Sequence, residues 1–206
     1  MVLRESEHEL ARGDRAPDFS LPGADDGTYA LADFGEHDAL LVVFTCNHCP
    51  YAKAKIDVLN GIAADYEEVA VVGINPNDAD AYPEDSFDRM VELTEDGTVR
   101  YDAYLRDESQ EIAGEYGATC TPDPFLFESD ANGANGRNGG DGDDGTPSDG
   151  SFRLAYHGRL DDATGPDEEP SGEPGFEMRE AIDRTLAGEA VDDSFRPSRG
   201  CSIKWK

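Results

Sequence analysis

Two uninterrupted apolar runs, at residues 39–45 and 69–75, constrain the fold more than any other feature of the sequence. Each run has the length of one strand and is rich in β-branched residues, as in strands buried on both faces. Residues 50–66, between the runs, carry apolar side chains at helical spacing: Tyr51, Val58, Leu59, Ile62 and Tyr66. Strand, helix and strand in this order predict a parallel pair joined by a right-handed crossover.

Weaker patterns extend this unit on both sides. Upstream, residues 14–21 are predicted to form an extended arm, because Pro17 disfavours a helix there. Downstream, the expected elements are a helix at 86–93, a strand at 99–105, a helix through Ile112 and Tyr116, strands at 125–127 and 152–160, and a helix through Met178, Ile182 and Leu186. The last two strands are expected to form an antiparallel hairpin.

The chain of 206 residues is predicted to form a single domain spanning 1–206, and no internal repeat divides it. Residues 14–45 supply an N-terminal extension and the first core strand, and residues 189–206 form a C-terminal tail. Residues 128–151 contain seven glycines and no Leu, Ile or Val, so they cannot bury enough apolar surface to offset their ordering entropy. We therefore predict a flexible hairpin insertion at 128–151.

The charge is strongly acidic, with 46 Asp and Glu against 17 Lys and Arg. Such a surface repels nucleic acid and anionic lipid, so neither is expected as a partner. The acids are spread along the chain rather than gathered in one tail, which favours a protein from a salt-rich cytoplasm. No run approaches the ~18 apolar residues of a membrane span, and the N-terminus lacks an apolar signal region, so a cytoplasmic location is expected.

Cys46 and Cys49 follow the first apolar run with two residues between them. This spacing allows the two sulfurs to close a disulfide where a helix begins, and helix-start N–H groups stabilise a thiolate. His48 adds a positive neighbour when it is protonated, and Pro50 is tolerated in a first helical turn. The pattern favours a redox dithiol in which Cys46 is the exposed attacking thiol and Cys49 the recessed resolving thiol.

A metal site is the main alternative for the same residues. Cys46, His48 and Cys49 are all competent zinc ligands, and Cys120, Cys201 or His157 would complete four. No second pair stands at zinc-finger spacing, however, and a strand before the dithiol with a helix after it is typical of redox proteins.

Thr121-Pro122 precedes the apolar run 125–127. A cis bond there would turn the chain sharply and direct the preceding backbone toward the dithiol, ready to pair with an extended substrate. Most X–Pro bonds are trans, and only ~5–6% are cis in folded proteins. The spacing alone leaves both forms open.

Four segments together resemble the peroxiredoxin-like thioredoxin-family proteins of the alkyl hydroperoxide reductase/thiol-specific antioxidant group: residues 44–51 (FTCNHCPY), 104–110 (YLRDESQ), 116–123 (YGATCTPD) and 200–205 (GCSIKW). The similarity spans residues 14–206 apart from 128–151, and the acidic, lysine-poor composition is similar to that of halophilic archaeal members. The resemblance implies an α/β thioredoxin fold, with a central mixed sheet flanked by helices, and a cis bond at Pro122.

The resemblance also implies an alternative in which Cys49, and not Cys46, attacks first. Cys49 matches the peroxidatic cysteine of true peroxiredoxins, which place Thr or Ser three residues before it; Cys46 stands there instead, and Thr45 is one residue away. Three functions remain open: a dithiol oxidoreductase led by Cys46, a thiol peroxidase led by Cys49, and a zinc- or partner-binding module without turnover. The first two need a disulfide-bearing protein, a small-molecule disulfide or a peroxide as substrate and a thiol electron donor, and no cofactor.

The two remaining cysteines are candidates for further redox thiols. Cys120 precedes Pro122 by two residues, so it is expected near the dithiol, as a third redox thiol or as a small buried side chain. Cys201 lies in the tail, where a free thiol is favoured over a regulatory disulfide with Cys120. Trp205 is expected to anchor the tail by packing, and His157 to pack at a strand end.

Overall fold

A five-stranded mixed sheet lies at the centre of the protein, with helices packed on both faces. The computed structural model describes residues 2–130, 151–192 and 194–206. In spatial order the strands are β6 (Ala103–Arg106), β5 (Val69–Asn75), β4 (Ala39–Phe44), β8 (Asp123–Ser129) and β9 (Phe152–His157). The first three run parallel, and β8 and β9 are antiparallel to their neighbours. The predicted α/β architecture is confirmed.

Strands β4 and β5 pair in parallel over the whole length of β4, as the two apolar runs predict. Every residue of both strands is buried. Alternate side chains of β4 enter two separate cores, with Leu40, Val42 and Phe44 on one face and Leu41 and Val43 on the other. The runs are therefore apolar throughout rather than alternating, because neither face of the sheet contacts water.

The single helix predicted over 50–66 is two helices, α1 (Pro50–Lys53) and α2 (Ile56–Asp65). Between them the chain makes a tight turn, in which the N–H of Lys55 donates to the carbonyl of Ala52 at 3.0 Å. Lys55 then extends its ammonium to the buried carboxylate of Asp161, at 2.5 Å. The apolar spacing does not reveal this break, because α2 keeps the same face toward the sheet on the far side of the turn.

The other helices are α3 (Phe87–Glu95), α4 (Glu111–Glu115) and α5 (Phe176–Leu186), with short 3₁₀ helices at Leu31–Phe34 and Pro83–Asp85.

Strand β8 continues to Ser129, so the predicted start of the insertion at residue 128 is wrong: Glu128 still pairs with Arg153. Residues 131–150, which hold most of the predicted insertion, lie outside the described residues. Strand β9 ends at His157, three residues before the predicted end. Beyond it the backbone N–H of Arg159 donates to the carbonyl of Arg196 and not to a neighbouring strand of the sheet.

Both ends of the chain contribute strands of their own. The predicted extended arm leads into a hairpin of β2 (Ser20–Pro22) and β3 (Thr28–Ala30). A three-stranded sheet joins β1 (Leu3–Glu5), β10 (Arg199–Ser202) and β7 (Cys120–Thr121), with β10 in the middle. Within the described ranges, no helix has the length and apolar character needed to cross a membrane.

The C-terminal tail is anchored by hydrogen bonds to its main chain and not by its tryptophan side chain. Trp205 is 49% exposed, so the prediction that it anchors the tail is wrong. Gln110 holds the segment instead: its side chain donates to the carbonyl of Lys204 at 2.8 Å and accepts from the N–H of Lys206 at 2.8 Å. Ile203 is buried in the core beside them.

Candidate active site

The dithiol lies in the loop that joins β4 to α1. Cys49 is the N-cap of α1 and Pro50 its first residue, as predicted. Cys46 stands four residues before the helix begins, so the expectation that it lies at a helix start is wrong. The helix α1 is a single turn of four residues, and the hydroxyl of Thr121, which contacts Cys46, lies outside it.

Cys46 is 2% exposed and Cys49 is fully buried. The expectation of an exposed attacking thiol is therefore wrong for this form of the protein. The two cysteines pack with Ala52 and Cys201 in one small apolar cluster, with Tyr51 at its border. Cys201 belongs to β10, so the C-terminal strand is what covers the dithiol.

The carboxylate of Asp85 organises the loop that carries the dithiol. It accepts the N–H of Asn47 at 2.7 Å and that of His48 at 3.2 Å, and Asn77 Nδ2 at 2.8 Å. Asp85 is fully buried, and the hydrogen bond from His48 helps to hold the pKa of its carboxyl below the ordinary value despite burial. Sequence reasoning missed Asp85, because it sits in a polar loop far from the cysteines in sequence.

His48 Nδ1 lies 2.5 Å from Asp85 Oδ2, and the imidazole stacks on Tyr82 with ring centroids 5.0 Å apart. Two neighbours raise the pKa of His48 to about 10: the hydrogen bond to Asp85 contributes most, and the interaction with Cys46 contributes next. The ring is therefore an imidazolium at neutral pH, with its charge beside the sulfur of Cys46. The ligand atoms of Cys46, His48 and Asp85 lie within 4.8 Å of one another, so the His48 ring is next to the sulfur that would carry negative charge in an attack.

Asn47, between Cys46 and His48, is also held in place. Tyr104 donates its hydroxyl to Asn47 Oδ1 at 2.7 Å. Burial holds the pKa of Tyr104 well above its ordinary value, so it stays a phenol and a donor. Asn47 is thereby bound on its backbone by Asp85 and on its side chain by Tyr104.

Thr121-Pro122 is a cis peptide, which confirms the expectation from the resemblance. Thr121 Oγ1 lies 3.1 Å from Cys46 Sγ, and the carbonyl oxygen of Thr121 lies 3.5 Å from Cys49 Sγ. One residue of β7 therefore contacts both sulfurs. The structure brings together Cys46, His48, Cys49, Thr121 and Pro122, as the sequence predicts.

Cys201 is joined to Cys49 by a disulfide, with Cα atoms 6.2 Å apart. The prediction that Cys201 is a free thiol is wrong, and so is the alternative that it pairs with Cys120. The reason is the register of β10, which sets Cys201 directly opposite Thr121 and so over the dithiol. Cys46 is left as a free thiol.

Cys120 and His157 lie next to the site without facing the dithiol. Cys120 is a free, fully buried thiol that contacts the carbonyl of Pro122, and burial raises its pKa. This favours the interpretation of Cys120 as a small buried side chain. His157 packs at the end of β9 as predicted, where its Nε2 lies 2.8 Å from Asp123 Oδ1 and its ring stacks on Phe125.

A metal would have only part of the predicted ligand set. Cys49 and Cys201 are joined in the disulfide, and Cys120, the other free thiol, contacts the carbonyl of Pro122 and does not face the dithiol. Among the described residues, ligand atoms of Cys46, His48 and Asp85 lie within 4.8 Å of one another and are the group that could hold an ion. All three already have hydrogen-bond partners, since His48 contacts Asp85 and Cys46 contacts the hydroxyl of Thr121.

The profile of the AhpC/TSA family matches residues 12–134, a range that contains β4, the dithiol, Asp85 and Pro122. The chain belongs to the AhpC/TSA family. Membership supports a thiol-dependent activity of the oxidoreductase or peroxidase type. No protein with a curated description matches the chain.

Solved structures confirm the thioredoxin-like fold of this AhpC/TSA member. An uncharacterized conserved protein from Geobacillus kaustophilus is 35% identical with a TM-score of 0.80, over 100% of this chain and 97% of that one. A hypothetical protein from Sinorhizobium meliloti 1021 is 36% identical with a TM-score of 0.77, over 98% of each chain. A Chlorobium tepidum protein described as a thiol:disulfide interchange protein of the DsbE type shares the fold at 20% identity and a TM-score of 0.54, over 89% of this chain and 100% of that one.

The raised pKa of His48 predicts a pH window for stability. A group whose pKa is near 6.5 in the unfolded chain and about 10 in the folded protein stabilises the fold fully below pH 6.5, and that contribution is lost as the pH rises to about 10. We expect the difference in unfolding free energy between wild type and His48→Gln to be largest below pH 6.5 and to shrink steadily toward pH 10. Urea unfolding of both proteins across this range measures it, and a difference independent of pH would contradict the assignment.

Proposed function

We propose that the protein is a thiol–disulfide oxidoreductase in which Cys46 is the attacking thiol and Cys49 the resolving thiol. The observation that carries this proposal is the position of His48, whose Nδ1 lies 2.5 Å from Asp85 Oδ2 and whose ring is held beside Cys46, with its pKa raised to about 10. At Cys49 the described polar contact is the carbonyl oxygen of Thr121, 3.5 Å from the sulfur. A carbonyl oxygen repels a thiolate, whereas an imidazolium stabilises one.

The reaction begins with the Cys46 thiolate. It attacks one sulfur of the substrate disulfide, a Cys46–substrate disulfide forms, and the other substrate sulfur leaves as a thiolate that is protonated. The Cys49 thiolate then attacks Cys46 Sγ and releases the second substrate thiol. The substrate disulfide is reduced by two electrons, the dithiol is oxidised to Cys46–Cys49, and an external thiol donor restores it.

The edge of β7 supports a polypeptide substrate. Thr121 contacts Cys46 through its hydroxyl and Cys49 through its backbone carbonyl, and its backbone pairs with a strand, which in this structure is β10. A disulfide-bearing polypeptide would take the place of β10 at this edge, and a small disulfide would reach Cys46 without the pairing. The thiol donor that completes the cycle is available in a reducing cytoplasm.

A thiol peroxidase is the second candidate, and the Cys49–Cys201 disulfide favours it. A peroxide that oxidises Cys49 to the sulfenic acid would give this disulfide when Cys201 condenses with it and water leaves. Against this reading, the hydroxyl of Thr121 contacts Cys46 rather than Cys49. The hydroxyl that would position a peroxide is therefore at the other sulfur.

A paired assay on the reduced wild-type protein separates the functions. With dithiothreitol as donor, we expect catalytic reduction of insulin disulfides, and consumption of hydrogen peroxide at no more than the rate of the free thiol reagent. Peroxide consumption with no reduction of insulin would contradict the proposal and support the peroxidase. Zinc bound in stoichiometric amount, with neither activity, would support the binding module instead.

A further inference from the structure

The C-terminal strand β10 is seated on the active site through its backbone. Cys201 lies opposite Thr121 and Ser202 opposite Cys120, so the pairing covers the two residues that precede the cis bond. On either side the tail is fixed by two further bonds: Ser198 Oγ donates to the Pro122 carbonyl at 2.7 Å, and the N–H of Lys204 donates to Asn77 Oδ1 at 2.8 Å. The sulfur of Cys201 is therefore held in register with the dithiol.

Gly200 shows how closely the tail approaches. A Cβ atom at this position would lie 1.9 Å from the carbonyl oxygen of Thr121 and 2.5 Å from its carbonyl carbon. Both atoms belong to backbone, so no rotation of a side chain could relieve the clash. Glycine before Cys201 is what allows β10 to reach the dithiol.

We propose that Cys201 is a third catalytic thiol, which takes over the disulfide from Cys46–Cys49 and so frees Cys46. The proposal rests on the oxidoreductase function above and extends it from two thiols to three. The structure corresponds to the end of this transfer: Cys49 and Cys201 are joined, and Cys46 is a free thiol beside the His48 imidazolium.

The transfer is a balanced thiol–disulfide exchange. The Cys201 thiolate attacks Cys49 Sγ, the Cys49–Cys201 bond forms, the Cys46–Cys49 bond breaks, and Cys46 leaves as a thiolate. One disulfide replaces another, so no oxidant or reductant is consumed in this step. His48 favours this direction because it stabilises the departing Cys46 thiolate, and the thiol donor then reduces Cys49–Cys201.

Disulfide mapping tests the transfer directly. The reduced full-length protein is oxidised with one equivalent of bis(2-hydroxyethyl) disulfide, quenched in acid, alkylated, and digested without reduction for mass spectrometry. We expect Cys49–Cys201 in the wild type and Cys46–Cys49 in Cys201→Ser. Cys120→Ser is the matched control, because it removes the other cysteine of this region and is expected to map like the wild type.

Gly200→Ala provides a second variant that keeps all four cysteines. Its added methyl group meets the Thr121 backbone, so we expect β10 to be displaced and the oxidised protein to hold Cys46–Cys49. Gly114→Ala, in α4, is the control: nothing lies within 4 Å of the added atom. After oxidation, Gly114→Ala is expected to hold the Cys49–Cys201 disulfide, as the wild type does.

Turnover distinguishes failure of this inference from failure of the proposed function. Cys201→Ser is expected to reduce one equivalent of insulin disulfide at the wild-type rate but to lose at least about tenfold in steady-state turnover, because only the later steps need Cys201. A wild type that reduces insulin while holding Cys46–Cys49 would overturn the third thiol and leave the oxidoreductase standing. A wild type that maps as Cys49–Cys201 but reduces no insulin would overturn both.

Discussion

Replacing Cys46 with serine is expected to lower kcat/KM for insulin disulfides by more than about 100-fold, because a serine hydroxyl is not ionised at neutral pH and cannot replace the thiolate as nucleophile. The fold should be retained, since Cys46 is free in the structure and serine can keep the contact with Thr121 Oγ1. The measurement is initial rates with dithiothreitol as donor over a range of insulin concentrations.

Cys120→Ser is the matched control for this loss. Cys120 is also free and buried, and it lies one residue from Thr121, but it faces the Pro122 carbonyl and not the dithiol. We expect its kcat/KM to stay within about twofold of the wild type. Equal activity of Cys46→Ser and the wild type would exclude Cys46 as the attacking thiol.

Replacing Asp85 with alanine is expected to lower the unfolding free energy by about 3–5 kcal/mol, as is typical when one partner of a buried charged pair is removed. Alanine leaves the N–H groups of Asn47 and His48 without their acceptor, and it leaves His48 without its anion. The loop that carries the dithiol then loses the group that organises it. Urea unfolding at neutral pH measures the change.

Glu84→Ala is the control for Asp85→Ala. Glu84 occupies the same 3₁₀ helix but is exposed, so its loss is expected to change stability by less than about 0.5 kcal/mol. Asp85→Asn is informative beside it, because the amide keeps one acceptor and removes the charge. If Asp85→Ala unfolds at the wild-type urea concentration, Asp85 does not organise the site.

The centre of the fold could be predicted from the sequence because its signals are local. The apolar runs that became β4 and β5 are buried on both faces. Every position of each strand is buried, and the sequence therefore shows a continuous apolar run at each of them. The dithiol spacing and Pro122 are also short-range patterns. The break between α1 and α2 was missed because apolar spacing reports which face is buried and not how the backbone turns.

The chemistry of the site depends on contacts between residues distant in sequence, and these could not be predicted. Asp85 reaches His48 from 37 residues away, and no motif marks it. Cys201 meets Cys49 across 152 residues, through the register of a strand that the tail pattern did not indicate. Gly200 carried a signal in retrospect: a glycine directly before a cysteine can mark a close approach of two backbones.

The central claim, that Cys46 attacks first, is tested most directly by trapping the mixed disulfide. In the double variant Cys49→Ser, Cys201→Ser, neither cysteine that could resolve the intermediate remains. Treated with bis(2-hydroxyethyl) disulfide at neutral pH, this variant is expected to accumulate a hydroxyethyl-thiol adduct on Cys46, located by peptide mass spectrometry. An adduct that forms rapidly on Cys49 in Cys46→Ser, Cys201→Ser, with none on Cys46 in the first variant, would contradict the account.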